Sequence, residues 1–266
     1  MTRIAVVGHV EWVQFLRVDH LPVPGEIQRA QREGTHAGGG AVVAAAALAE
    51  FGAEVDFYGA VGSDAIGDAA VSELTDRGIT VHAARRPGPT REVLTLLDRA
   101  GERTILPIGE RLAPEGDDSL DWDRLGDVDG VYITAGDQGA LRHARAADVL
   151  VATPRLRERI EDPGVHIDVL VFSASDESEV HWAERLRSQT RLMVATEGGA
   201  GGRWWGASEG RWAAVPPPGP VHDSYGCGDA FAAGFTYGLA AGKAVPEACE
   251  IGARLGAEML TRVGAP

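Results

Sequence analysis

Asp223-Ser224-Tyr225-Gly226-Cys227-Gly228-Asp229-Ala230-Phe231 places two acids around a glycine-rich turn, and an apolar helical pattern starts directly after it. Small residues at Gly226, Cys227 and Gly228 let the backbone approach an anion and aim successive N–H groups at it. The helix that follows adds its unpaired first-turn donors and the positive end of its dipole. Asp229 lies at the lip of this hole, placed to accept a proton from a hydroxyl that attacks phosphorus. A phosphate cradle beside a carboxylate is what phosphoryl transfer to an alcohol needs. The plainer reading of the same nine residues is a helix start after a turn.

Other site chemistries find no support. No GxxxxGK[ST] stretch is present, since Lys243 follows Gly242 but precedes Ala244. A dinucleotide GxGxxG fails at the signature turn, where Phe231 stands in place of the third glycine. The eight histidines show no HExxH and no zinc spacing, and there is no GxSxG elbow. Two cysteines, Cys227 and Cys249, form no CxxC pair. Together with a start directly on a strand-like run, this points to a reducing cytoplasmic setting.

The elements that must position the turn alternate. Ile4 to Val7, Val55 to Val61, Val131 to Thr134, Val169 to Phe172 and Leu192 to Thr196 read as buried strands. Ala41 to Glu50, Ile66 to Asp76, Gln138 to Val151 and Glu177 to Arg187 read as helices, the first two closed by Gly52 and Gly78. Strands alternating with helices imply an α/β protein with a mostly parallel sheet, which binds ligands at its strands' carboxyl ends. Two stretches break the rhythm. Glu11 to Glu33, and the strands Glu92 to Asp98 and Arg103 to Ile108 around Arg99-Ala100-Gly101-Glu102, predict a small antiparallel sheet outside the main one. The alternative is that both are edge strands of the main sheet. Hydrophobic residues make up 44% of the 266, enough for a sizeable core. The formal net charge of −14 argues against nucleic acid or an anionic membrane as partner. No apolar run reaches transmembrane length. Lys243 is the one lysine, so a side-chain phosphate clamp would be built of arginine.

In this order along the chain, several segments resemble the ribokinase-like carbohydrate kinases of the phosphofructokinase-B (pfkB) type. Gly8 to Glu26 resembles that family's first strand and lid segment. Gly38-Gly39-Gly40-Ala41 is similar to its di-glycine turn and helix, and Gly59 to Gly67 to its GxVGxDxxG segment. Thr196 to Gly201 resembles its TxGxxG nucleotide loop, residues 223–229 its DTxGAGD turn, and Thr261 to Ala265 its final loop.

The resemblance implies one ribokinase-like domain over residues 1–266, a three-layer α/β/α sandwich with a β-sheet lid from residues 11–34 and 90–108. It implies transfer of the γ-phosphoryl group of ATP to a hydroxyl of a sugar-like small molecule, with Mg²⁺ and a monovalent cation such as K⁺. Asp229 takes the position of the base, and Gly226, Cys227 and Gly228 the anion hole. Thr196, Gly198 and Gly201 border the nucleotide, together with Gly226 and Gly228. Gly38, Gly39, Glu11, Val13, Val43, Arg91 and Arg103 take the substrate side. Asp176 and Asp223 take the metal positions, and two copies pair through the lid.

The chain departs from the pattern in three segments. Glu11 and Val13 stand where relatives carry Asn and Asp, and Gly40 and Val43 where they carry polar contacts. The magnesium-linked NxxE reads Ser173-Ala174-Ser175-Asp176, with Glu177 and Glu179 nearby. These departures leave open a nucleoside kinase on the same scaffold, or a sugar-binding protein with weakened catalysis.

Overall fold

Period-two burial fixes the architecture. In the first strand, β1 (Arg3–Val7), Ile4 and Val6 join one apolar cluster while Ala5 and Val7 join another on the opposite face. A strand buried on both faces belongs in the middle of a helix-covered parallel sheet. The computed structural model, which describes residues 1–99, 103–160 and 164–262, shows that sheet.

Beside β1 lie β4 (Glu54–Gly62) and β5 (Thr80–Arg86) on one flank. On the other lie β8 (Gly130–Ile133), β9 (Val149–Ala152), β10 (Ile167–Ser173) and β11 (Thr190–Thr196), all parallel. The antiparallel strands β12 (Gly202–Gly206) and β13 (Gly210–Trp212) complete nine. Helices α1 (Gly40–Phe51), α2 (Ala65–Asp76), α5 (Cys227–Ala240) and α6 (Val245–Met259) contribute to the cluster on one face. Helices α3 (Gln138–Ala144) and α4 (Glu177–Arg185) contribute to the cluster on the other. The result is a three-layer α/β/α sandwich. The chain winds outward from β1 to β5, then returns to β8 on the far side of β1. That reversal opens a crevice at the carboxyl ends of the strands.

A second, separate sheet holds β2 (Glu11–Arg17), β3 (Gln31–Gly38), β6 (Glu92–Leu97) and β7 (Arg103–Ile108) in the order β3-β2-β6-β7. The edge-strand alternative is therefore excluded. The sheet is not wholly antiparallel, because β2 and β6 run parallel. The turn at 100–102 and positions 263–265 of the final loop lie outside the described residues.

One expected helix is two elements. α3 stops at Ala144, and Val149–Ala152 forms β9 between β8 and β10. Arg145 supplies the break, its guanidinium bonding Ala147 O, His166 O and Asp168 Oδ2. Beyond it, β-branched Val149 and Val151 favour the extended chain.

The Gly59 to Gly67 segment has a structural role. Asp64 caps α2 by accepting from Gly67 N at 2.8 Å, and it also accepts from Thr90 N at 2.8 Å and Thr90 Oγ1 at 2.6 Å. Burial works against its ionised form, but these bonds outweigh it and hold the carboxyl below its usual range. Asp64→Ala is expected to destabilise the fold by about 2 kcal/mol at neutral pH, from a lost cap and lost charged hydrogen bonds. A depressed folded pKa gives stability that is present above the unfolded value and lost as pH falls through the folded one. The gap between variant and wild type in denaturant titrations should therefore be full at pH 7 and close in strong acid. A gap independent of pH would refute this assignment.

Candidate active site

α5 starts at a backbone position that suits glycine. Gly226 caps it with φ 73°, and a Cβ there would come within 2.5 Å of Val43 Cγ1. The turn can thus sit directly on α1 only without a side chain. Gly228 faces open space, with nothing within 4 Å of the position its Cβ would take. The N–H groups of Cys227, Gly228 and Asp229 in this first turn have no intrahelical partner.

Asp229 follows in the first turn of α5, 6% exposed. Tyr132, at the carboxyl end of β8, donates its hydroxyl to Asp229 Oδ1 at 3.1 Å. Burial, and then the nearby Asp229 charge, push that phenol well above its usual pKa, so it stays a donor. Arg155, just past the carboxyl end of β9, reaches Asp229 Oδ2 at 3.2 Å and Glu179 Oε1 at 2.7 Å. Asp229 and then Glu179 raise the guanidinium's pKa against the opposing effect of burial. Glu179 is 6% exposed and also accepts from Ser173 N at 2.8 Å. One arginine thus bridges two nearly buried carboxylates from separate helices.

Two cavities meet at Arg155. One, of about 700 Å³, is lined by Thr196, Gly198, Gly201, Cys227 and Gly228. Apolar Trp212, Val215, Phe231 and Leu260 also line it. Glycine-rich backbone and apolar side chains thus surround a pocket of the size that holds a cofactor-sized ligand. The other, of about 580 Å³, is lined by Arg91, Arg111, Arg155, Arg157 and Arg159, with Asp176 and Glu179.

The remaining positions fall into different surroundings. Gly39 turns into α1 with φ 92°, and its N–H donates to Tyr225 Oη at 2.8 Å. Tyr225 also meets Phe15 edge-on at 5.5 Å, so it ties the second sheet, the Gly38-Gly39 turn and the signature turn together. Arg103 pairs with Asp223 at 2.9 Å and lies 5.7 Å from the Tyr225 ring centre. Asp223 also accepts from Tyr225 N at 3.0 Å. Glu11 forms an ion pair with Arg91 at 3.3 Å and lies 3.5 Å from His9. Burial opposes its charge, but His9, Arg91 and Arg111 prevail and lower its pKa.

Val13 and Val43, assigned to the substrate side by position, are fully buried. Val13 packs with Phe15, Val93 and Leu97, and Val43 with Ala47, Ala230 and Leu255. Neither presents surface to a ligand. Asp176 lines the arginine cavity, but its Oδ1 is used to cap α4, accepting from Ser178 N and Glu179 N. Burial, and then Asp223, push the Cys227 thiol up to about 11, so it is a small neutral residue at neutral pH rather than a reactive thiolate.

A parallel α/β sheet whose crevice holds a glycine anion turn and a bridged carboxylate defines a phosphoryl-transfer scaffold. The chain belongs to the pfkB family of carbohydrate kinases, which it matches over residues 1–266. It is 31% identical over 224 residues to an ATP-dependent ribose-1-phosphate kinase of Halopiger xanaduensis, covering 68% of this chain and 74% of that protein. It is 29% identical over 230 residues to the acarbose 7(IV)-phosphotransferase of an Actinoplanes species, covering 76% and 72%. Its fold is that of Thermotoga maritima ribokinase, at TM-score 0.78 and 21% identity, covering 100% of this chain and 95% of that structure.

Proposed function

We propose that this carbohydrate kinase moves the γ-phosphoryl group of ATP to a hydroxyl of a sugar or sugar-like acceptor, with Asp229 as the base. The observation that carries this reading is Asp229 in the first turn of α5, next to the glycine turn and paired with Arg155, which lines both cavities. ATP would occupy the cavity bordered by Thr196, Gly198, Gly201 and Gly228, with its phosphates toward the first turn of α5. The acceptor would enter from the arginine side. Tyr132 and Arg155 hold the Asp229 carboxylate in place, so its free lone pairs can take the hydroxyl proton. The N–H groups at 226–228 and the Arg155 guanidinium meet charge on the transferred group.

No group of three or more metal-ligating side chains occurs among the described residues. That fits Mg²⁺ brought in on phosphates, which needs only one or two carboxylates. Glu179 and Asp176 would hold it, directly or through water. When bound, it would neutralise charge on the phosphates. A monovalent cation would have to share Asp223 with Arg103, and we give Asp223 the role of fixing the turn. The second sheet would serve as a lid, coupled to the site through Tyr225. Its edge strand β7 exposes Ile105, Leu106 and Ile108, an edge along which two copies would pair. No helix among the described residues is long and apolar enough to cross a membrane. Two unpaired cysteines fit a cytosolic setting.

The test is ADP release from Mg-ATP across sugars, sugar phosphates, sugar acids and nucleosides. Stimulation by one acceptor class supports the reading. Stimulation by nucleosides alone would favour the nucleoside alternative. ATP binding without stimulation by any acceptor would contradict a kinase.

A further inference from the structure

The arginine cavity has more positive charge than the transferred phosphoryl group explains. Five arginines line it, against Asp176 and Glu179, in a chain whose net charge is −14. Arg155 is matched by Glu179 and Asp229, and Arg91 by Glu11. Among the described residues, Arg111, Arg157 and Arg159 have no carboxylate within ion-pair distance. Arg91 Nε is buried without a hydrogen-bond acceptor. Such a donor is costly unless a ligand completes it. Burial, and then the charges of Arg91 and Arg159, depress the pKa of Arg111. Arg157 has φ 52° and is the one non-glycine residue with positive φ among those described. Backbone held in that region concentrates at ligand sites.

Resting on the kinase reading above, we propose that the acceptor already carries a phosphate monoester. That phosphate sits among Arg91, Arg111, Arg157 and Arg159 while a free hydroxyl of the same sugar faces Asp229. Guanidinium groups bind phosphate through paired N–H donors, and several are needed to match a dianion. The hydroxyl oxygen bonds to the γ-phosphorus as the bond from that phosphorus to the β–γ bridging oxygen breaks. The hydroxyl proton passes to Asp229, ADP leaves, and the product is a sugar bisphosphate. A reaction that makes a sugar monophosphate must precede this step, and one that uses a bisphosphate must follow it.

The test compares neutral sugars with their own monophosphates and with sugar acids, using wild type, Arg159→Ala and the Arg157→Ala/Arg159→Ala pair. The phosphorylated acceptor should exceed its neutral parent in kcat/KM by about 100-fold, and Arg159→Ala should raise its KM by about 10-fold. KM for ATP and kcat should stay within about twofold, because these side chains bind the acceptor uniformly. Inorganic phosphate should compete with the acceptor, not with ATP. Equal use of the neutral sugar, preference for a sugar acid, or a raised KM for ATP would each overturn the proposal. Turnover of neutral sugars alone would sink it and leave the kinase standing. If no acceptor is phosphorylated, calorimetric titration with ribose 1-phosphate, ribose 5-phosphate and fructose 6-phosphate still decides. Binding lost in the double variant supports the phosphate site, and no binding to wild type overturns it.

Discussion

Asp229→Asn is expected to lower kcat by about 10²- to 10⁴-fold, the range supplied by a positioned general base. Nucleotide affinity and the thermal midpoint should stay close to wild type. The amide matches the carboxylate in shape, and its single oxygen, set in the Oδ1 position, still accepts from Tyr132 and from Arg155. What disappears is the capacity to take a proton. The proposed nucleotide contacts, Thr196, Gly198, Gly201 and Gly228, line the other cavity. Single-turnover kinetics with saturating ATP and acceptor would show the deficit in the chemical step. A variant within about threefold of wild type would remove Asp229 from the role of base, since even weak base catalysis exceeds that.

The second large effect is expected at Arg155. Arg155→Ala should cost about 10²- to 10³-fold in kcat, the scale seen when one preorganised charge-stabilising donor is lost. Its fork joins Glu179 to Asp229 and opens on both cavities. Removing it frees the Asp229 carboxylate to rotate and takes a cation from the place where the phosphoryl group passes. Arg155→Lys should recover little, because a point charge cannot bridge both carboxylates. The variant should also lose about 1–3 kcal/mol of stability, because Glu179 and Asp229, both nearly buried, lose the cation they share. A variant that unfolds easily but turns over normally would make Arg155 a structural tie instead.

Local chemistry was legible in the sequence, and distant packing was not. The turn at 223–229 carries its meaning in adjacent residues: glycines that admit a positive φ, then an acid in the first turn of a helix. Arg155 gave no such signal. It follows β9, a four-residue strand that a helical reading of Gln138 to Val151 absorbs, so the carboxyl end on which Arg155 stands was hidden. Glu179 resembles an ordinary helix-surface acid by sequence, and only the fold turns it inward onto Ser173 N and Arg155. Val13 and Val43 show the reverse. Position in a motif suggested ligand contact, whereas both are consumed by packing, Val43 directly beneath the glycine of the anion turn. The second sheet was recognisable from its broken rhythm, but the parallel pairing of β2 with β6 depends on contacts 80 residues apart in register, as in Trp12 with Glu92.

The central claim is that a phosphoryl group travels from ATP to an acceptor hydroxyl beside Asp229. The most direct measurement incubates the protein with ATP labelled in its γ-phosphoryl group and an acceptor panel, then analyses the acceptors by mass spectrometry. The account predicts label in one acceptor class with wild type, and almost none with Asp229→Asn at equal protein. Label that appears only in inorganic phosphate, or that reaches the acceptor equally well with Asp229→Asn, would contradict it.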